Sequence, residues 1–223
     1  MQYIKETVIT GKVIEVTKKC VPEKKLSKRQ RAEKNKETSE KQKAVNLKRA
    51  ITKLRRILNS NYKGGDLHLV LTYRKNDRKS TSESRKELEK FLRKLRALYK
   101  KRGIELRYVT VTEYLNKHLH HHLVINAGTD IKEIMMLWPW GRPKLFPLDD
   151  TGQYGDLAAY LVKESEKTFR EPGAPQRKRW NSSTNLKKPI VKQKIIKRSH
   201  RWAKEPRPLK GYNIEKDSIY ESI

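Results

Sequence analysis

Residues 104 to 126 read IELRYVTVTEYLNKHLHHHLVIN, and their pattern decides the fold. Two β-prone runs, residues 104–114 and 119–126, flank a polar break at Leu115, Asn116 and Lys117, which is the signature of a hairpin. Side chains alternate along a strand, so His118, His120 and His122 share one face while Leu119, His121, Leu123 and Ile125 share the other. With the loop centred on Asn116 and Lys117, Glu113 stands opposite or diagonal to His120, within cross-strand reach. Two imidazoles and a carboxylate with open positions suit a divalent ion such as Mn2+ or Mg2+, and also accommodate Zn2+. The competing reading is a polar strand face whose histidines only meet solvent. His-x-His followed by Leu-Val-Ile, with a glutamate before the turn, favours the metal site.

Outward from the hairpin, LHLVLTY (67–73) is an apolar β-prone run preceded by a break at Gly64-Gly65. Ser84 and Glu87 have the spacing of a capping box, and Leu88, Phe91, Leu92, Leu95 and Leu98 make one apolar helical stripe, closed by Lys100, Lys101 and Arg102 before Gly103. After the hairpin, Asp130 or Thr129 starts a short helix, residues 144–146 form a proline-bounded edge strand, and residues 156–168 form a further helix that buries Ala158, Leu161, Val162 and Phe169. Residues 67 to 168 therefore run strand, helix, strand, strand, helix, strand, helix. This is the α+β, βαββαβ ferredoxin-like order: an antiparallel sheet with helices on one face, the histidine strand central, and the other sheet face free for a substrate.

The flanks differ in character. Residues 1–16 alternate apolar and polar and read as a hairpin turning at Thr10 and Gly11, and residues 22–38 are nearly all charged or polar, a helix or arm ordered by a polyanion if at all. Leu47, Ile51, Leu54 and Leu58 then line one face of a helix whose other faces are basic. Beyond residue 170 the chain is basic and proline-spaced, with Trp180 and Trp202 placed either to stack on bases or to pin the segment to the domain. The expected division is an N-terminal hairpin and basic helical region (1–60), a central domain (61–170) and a basic tail (171–223).

Lysine and arginine number 54 against 25 acidic residues, a formal net charge of +29. Such an excess repels itself unless a polyanion neutralises it, and nucleic acid is the expected partner. The single cysteine, Cys20, excludes an intramolecular disulfide framework and a cysteine zinc cage, and points to a reducing, intracellular compartment. No run has the length of apolar residues that a membrane span needs.

A divalent ion on a sheet, a helix offering Tyr160 and Lys163, and a basic surround together point to attack on a phosphodiester. The phenol of Tyr160 is the candidate nucleophile. A free tyrosine has a pKa of about 10, so its phenolate needs nearby positive charge, which Lys163, one helical turn away, can supply.

In this order, LHLVLTY (67–73), Glu113 with His120-His121-His122-Leu-Val-Ile, and Tyr160-Leu-Val-Lys163 resemble the three motifs of rolling-circle replication initiators, the HUH (His-hydrophobic-His) endonucleases of small phages and plasmids. RKRWNSSTNLKKP (177–189) is similar to the tail of the replication-associated proteins in that group. The resemblance implies that His120 and His122 bind Mn2+ or Mg2+ with Glu113 as third ligand. It implies that Tyr160 cuts one DNA strand at a replication origin, stays joined to the 5′ phosphate and leaves a 3′ hydroxyl that primes synthesis. A second transfer rejoins the strand. Arg177, Lys178, Arg179, Lys187 and Lys188 are the expected DNA contacts, with host helicase and polymerase as partners and the bacterial cytoplasm as the location.

Two departures stand out. His121 occupies the position that is usually hydrophobic, and His118 creates a second His-x-His pair. Glu164 stands where two-tyrosine relatives carry a second nucleophile, so the chain reads as a single-tyrosine enzyme. A relaxase or single-tyrosine transposase would use the same chemistry. A non-catalytic basic nucleic-acid-binding module would instead carry stacking aromatics on its sheet, and a structural zinc protein would bind metal and cut nothing.

Overall fold

The computed structural model describes residues 2–21, 39–77, 79–115, 118–166, 178–196 and 206–219, without the side chains of Leu115, His118, Glu164, Glu166 and Lys216. The charged stretch 22–38, Phe169, Arg177 and Trp202 lie outside the described residues.

The chain divides into two compact units, of which the larger comprises Ile9–Ile14 and Lys34–Ile190. It opens with α1 (Glu40–Asn61), capped by Ser39, whose hydroxyl accepts the Gln42 N–H. Then follow β3 (Leu67–Thr72), α2 (Thr81–Lys101), β4 (Tyr108–Leu115), β5 (His118–Ile125), α3 (Ile131–Met136), β6 (Lys144–Pro147), α4 (Gly155–Glu166) and β7 (Asn181–Ser182). The strands form one antiparallel sheet in the order β6-β3-β5-β4-β7. Its first four strands have the ferredoxin-like arrangement, and β5, the histidine strand, lies between β3 and β4.

Alternation along the strands sends Leu67, Leu69, Leu71, Leu123 and Ile125 to one face, where they pack against Leu88, Phe91, Leu92, Leu95 and Tyr99 of α2 with Ile134 and Trp138. The capping box of α2 is Ser80 with Glu83, one turn earlier than the Ser84 and Glu87 pair. Ser84 is buried within the helix and donates to the Thr81 carbonyl, while Glu87 accepts from Trp140 Nε1. The register of the apolar stripe also shifts at its end, since Tyr99 is fully buried and Leu98 only half-buried. Gly103, at φ +69, closes α2 with a Schellman pair: its own N–H meets the Lys100 carbonyl and that of Ile104 meets the Tyr99 carbonyl.

The expectation of helices on one face is corrected by α1 and α4. Val109, Val111 and Val124 make part of the second face apolar, and Leu54 and Leu58 of α1 with Ala158, Leu161 and Val162 of α4 bury it. Apolar area left in water costs about 25 cal/mol per Å2, which favours covering that half. The other half of the face carries Glu113, His120 and His122, where the strand residues turn polar. The segment expected as a tail contributes β7, which pairs with β4, and Trp180, which packs half-buried against the second cluster.

The smaller unit comprises Met1–Val8, Glu15–Glu33 and Val191–Ile223. Its three-stranded sheet has the order β2-β1-β8, with β1 (Gln2–Thr10), β2 (Val13–Val21) and β8 (Ile190–Ile196). The hairpin turns as expected after Thr10, with Gly11 at φ +57.

Candidate active site

The hairpin register sets the centre of the site. Glu113 is the direct partner of His120, and Val111 of His122. The Glu113 carboxylate Oε2 lies 2.7 Å from His120 Nε2 and 3.5 Å from His122 Nε2. Among the described residues these three form a group that could hold a metal ion, with one ligand atom from each within 4.8 Å of the others. The His118 side chain, the alternative ligand, lies outside the described residues.

Burial makes this pocket selective for neutral imidazole. His122 is 1% exposed, and desolvation, reinforced by the neighbouring His68, His120 and His121, lowers its pKa to about 3. At neutral pH it is uncharged, so its contact with Glu113 is not an ion pair. Its Nε2 is buried without a hydrogen-bond partner. A buried polar atom left in that state costs free energy unless something else satisfies it. The lone pair of a neutral imidazole, aimed beside a carboxylate and a second imidazole, fits a divalent cation, and the N, N, O donor set suits ions of the Mn2+, Mg2+ or Zn2+ type.

Helix α4 brings the tyrosine to the same place. Ala158, Leu161 and Val162 are buried against the sheet, which leaves Tyr160 at the border of that stripe, 43% exposed. Its ring meets that of His122 edge-on, with centroids 5.3 Å apart. Lys163 lies exposed one turn further on. Tyr154, six residues before Tyr160, is buried, with its hydroxyl donating to the Asp149 carbonyl.

The structure adds His68, which stands within LHLVLTY and which no motif in the sequence singled out. It lies on β3 opposite Val124, diagonal to His122, and its Nε2 is 3.2 Å from His122 Nδ1. Burial lowers its pKa to about 4. The only sequence signal was a histidine alternating with leucines on the face opposite the core. His121, in the position usually hydrophobic, points the other way into the main core, fully buried, and both ring nitrogens are partnered: Thr112 Oγ1 at 2.9 Å from Nδ1 and Tyr73 Oη at 3.1 Å from Nε2.

Of the expected DNA contacts, Lys178, Lys187 and Lys188 are exposed and Arg179 is half-buried. The backbone at Lys187 is clamped by Asn61, whose amide accepts the Lys187 N–H at 2.7 Å and donates to its carbonyl at 2.9 Å. This leaves the lysine side chain outward on a fixed backbone. No helix among the described residues is long and apolar enough to cross a membrane.

No curated protein and no solved structure matches the chain. Residues 66–169, just under half of the chain and the span that contains His68, Glu113, His120, His122, Tyr160 and Lys163, match a family model: this part of the chain is similar to the family described as Replication-associated protein ORF2.

Proposed function

We propose that this protein initiates rolling-circle DNA replication by nicking and rejoining a single DNA strand at an origin, with Tyr160 as nucleophile. The observation that carries the reading is the convergence of a phenol from α4 on a carboxylate and imidazole pair from the central hairpin: Tyr160 and His122 are in ring contact, and the site lies within the span similar to replication-associated proteins.

Glu113, His120 and His122 would hold the ion, with Mn2+ or Mg2+ the ions the reading favours. When bound, a divalent ion supplies Lewis-acid polarisation of a non-bridging phosphate oxygen. The chain's own groups do the rest. The phenolic oxygen of Tyr160 attacks phosphorus and forms a phosphotyrosine ester. The bond from phosphorus to the 3′ oxygen breaks, and that oxygen takes up a proton as the phenol gives one up. The ester conserves the energy of the phosphodiester, so a later attack by a 3′ hydroxyl rejoins the strand and frees the tyrosine. Lys163 supplies positive charge for the phenolate or the scissile phosphate. Lys178, Arg179, Lys187 and Lys188, with Arg177, draw in the DNA backbone, and host helicase and polymerase extend the exposed 3′ end in the bacterial cytoplasm.

The test is incubation with single-stranded origin DNA and Mn2+. A denaturant-resistant protein–DNA adduct is expected from the wild type and none from Tyr160→Phe. An adduct that survives Tyr160→Phe overturns the assignment.

A further inference from the structure

The contact between His68 and His122 has chemistry beyond packing. Two neutral imidazoles joined by a hydrogen bond share one proton, and which ring owns it fixes the state of the other nitrogen. If His68 Nε2 carries the proton, His122 carries its own on Nε2, pointing toward Glu113 Oε2 at 3.5 Å. That arrangement presents no lone pair at the centre of the Glu113, His120 and His122 group. If His122 carries the proton on Nδ1, its Nε2 lone pair faces the group.

We propose that His68 is a positioning residue: its Nε2 accepts the Nδ1–H of His122 and so holds His122 Nε2 in the lone-pair form that a divalent ion requires. The inference rests on the metal reading given above. Histidine ligands usually donate their second ring N–H to a carboxylate, a backbone carbonyl or water. Here the atom within reach is another imidazole, on the neighbouring strand. The seat of His68 is built for one orientation. It is 9% exposed, its ring lies nearly parallel to that of His122 at 23°, with centroids 5.5 Å apart, and Phe146 and Tyr160 stand at 5.9 and 6.4 Å. The next residue on that face, Val70, is aliphatic and stands opposite His122. An aliphatic side chain at position 68 would satisfy packing, whereas a buried polar ring needs a partner, and His122 is that partner.

Two variants of similar size separate the acceptor from the volume: His68→Gln keeps a carbonyl oxygen, and His68→Met does not. Mn2+ affinity is measured by calorimetry for both and for the wild type, alongside unfolding midpoints, and long-range proton–nitrogen NMR of the Mg2+-loaded wild type reads the His122 tautomer. The expected result is a loss of Mn2+ affinity of roughly 10- to 100-fold in His68→Met, near wild-type affinity in His68→Gln, and His122 protonated at Nδ1. Wild-type affinity in His68→Met, or an equal loss in both variants, overturns the positioning role while leaving the metal site standing. Should a variant fail to fold, the tautomer decides, and a proton on His122 Nε2 in the loaded protein overturns the proposal. A wild type that binds neither Mn2+ nor Mg2+ removes the metal reading and this inference with it.

Discussion

Glu113 and His120 face each other directly across the β4–β5 ladder, and their side chains meet at 2.7 Å between Oε2 and Nε2. A cross-strand pair is the most rigid way a sheet can hold two ligands, because the backbone ladder fixes the distance between their Cβ atoms. Replacing Glu113 by glutamine keeps the shape and removes the charge. Glu113→Gln is expected to weaken Mn2+ binding in calorimetry and to lower single-strand nicking by on the order of 10²-fold or more, the loss expected when several kcal/mol of metal-assisted stabilisation disappear. DNA binding at fixed salt should stay close to wild type. Nicking at the wild-type rate in Glu113→Gln would remove the carboxylate from the site.

Acid should unfold this protein partly through His121. Burial, and secondarily the charge of His120, lowers its pKa from the ordinary 6.5 to about 3. A depressed folded value means that the unfolded chain takes up the proton first. The stabilising contribution is therefore intact above about pH 6.5 and is lost as pH falls from there toward about 3. In His121→Leu the decline of the urea midpoint over this window should be shallower, with a remaining slope from His68 and His122, whose values are lowered as well. Identical acid profiles for the two proteins would refute it.

The salt dependence of DNA binding should report the lysines on the clamped backbone. Lys187 and Lys188 are exposed. Neutralising both, as Lys187→Ala with Lys188→Ala, is expected to weaken binding to all sequences alike. The slope of log affinity against log salt should fall by roughly 0.7 for each single-strand phosphate that is no longer neutralised. An unchanged slope would place the DNA elsewhere on the surface.

Trp180 was open to two readings in the sequence, and its ring packs half-buried against the cluster that contains Leu54, Val111 and Leu161. Trp180→Ala should therefore lower stability in urea by roughly 0.5 to 3 kcal/mol, the usual range for removing packed area. A base-stacking role alone would instead lower DNA affinity and leave the urea midpoint where it was.

Much of the site was legible because it is local. The hairpin, the alternation that sets His120 and His122 on one face, and the position of Glu113 across from them follow from a strand period of two and a short turn. Where two local signals competed, the sequence was a poorer guide. Ser80 and Ser84 each precede a glutamate three residues later, and only the packing of Ser84 inside the turn shows which one caps α2.

By itself, then, the sequence determined the strand order of the core, the face on which the histidines stand, and a charge that calls for a polyanion, since each depends on neighbours in the chain or on totals. Tertiary structure alone decided that α1 and α4 cover half of that face, that Tyr160 comes into ring contact with His122, and that His68, 54 residues from His122, reaches its Nδ1. Those relations depend on how apolar stripes from distant segments find each other, and no period within one element encodes where its partner lies.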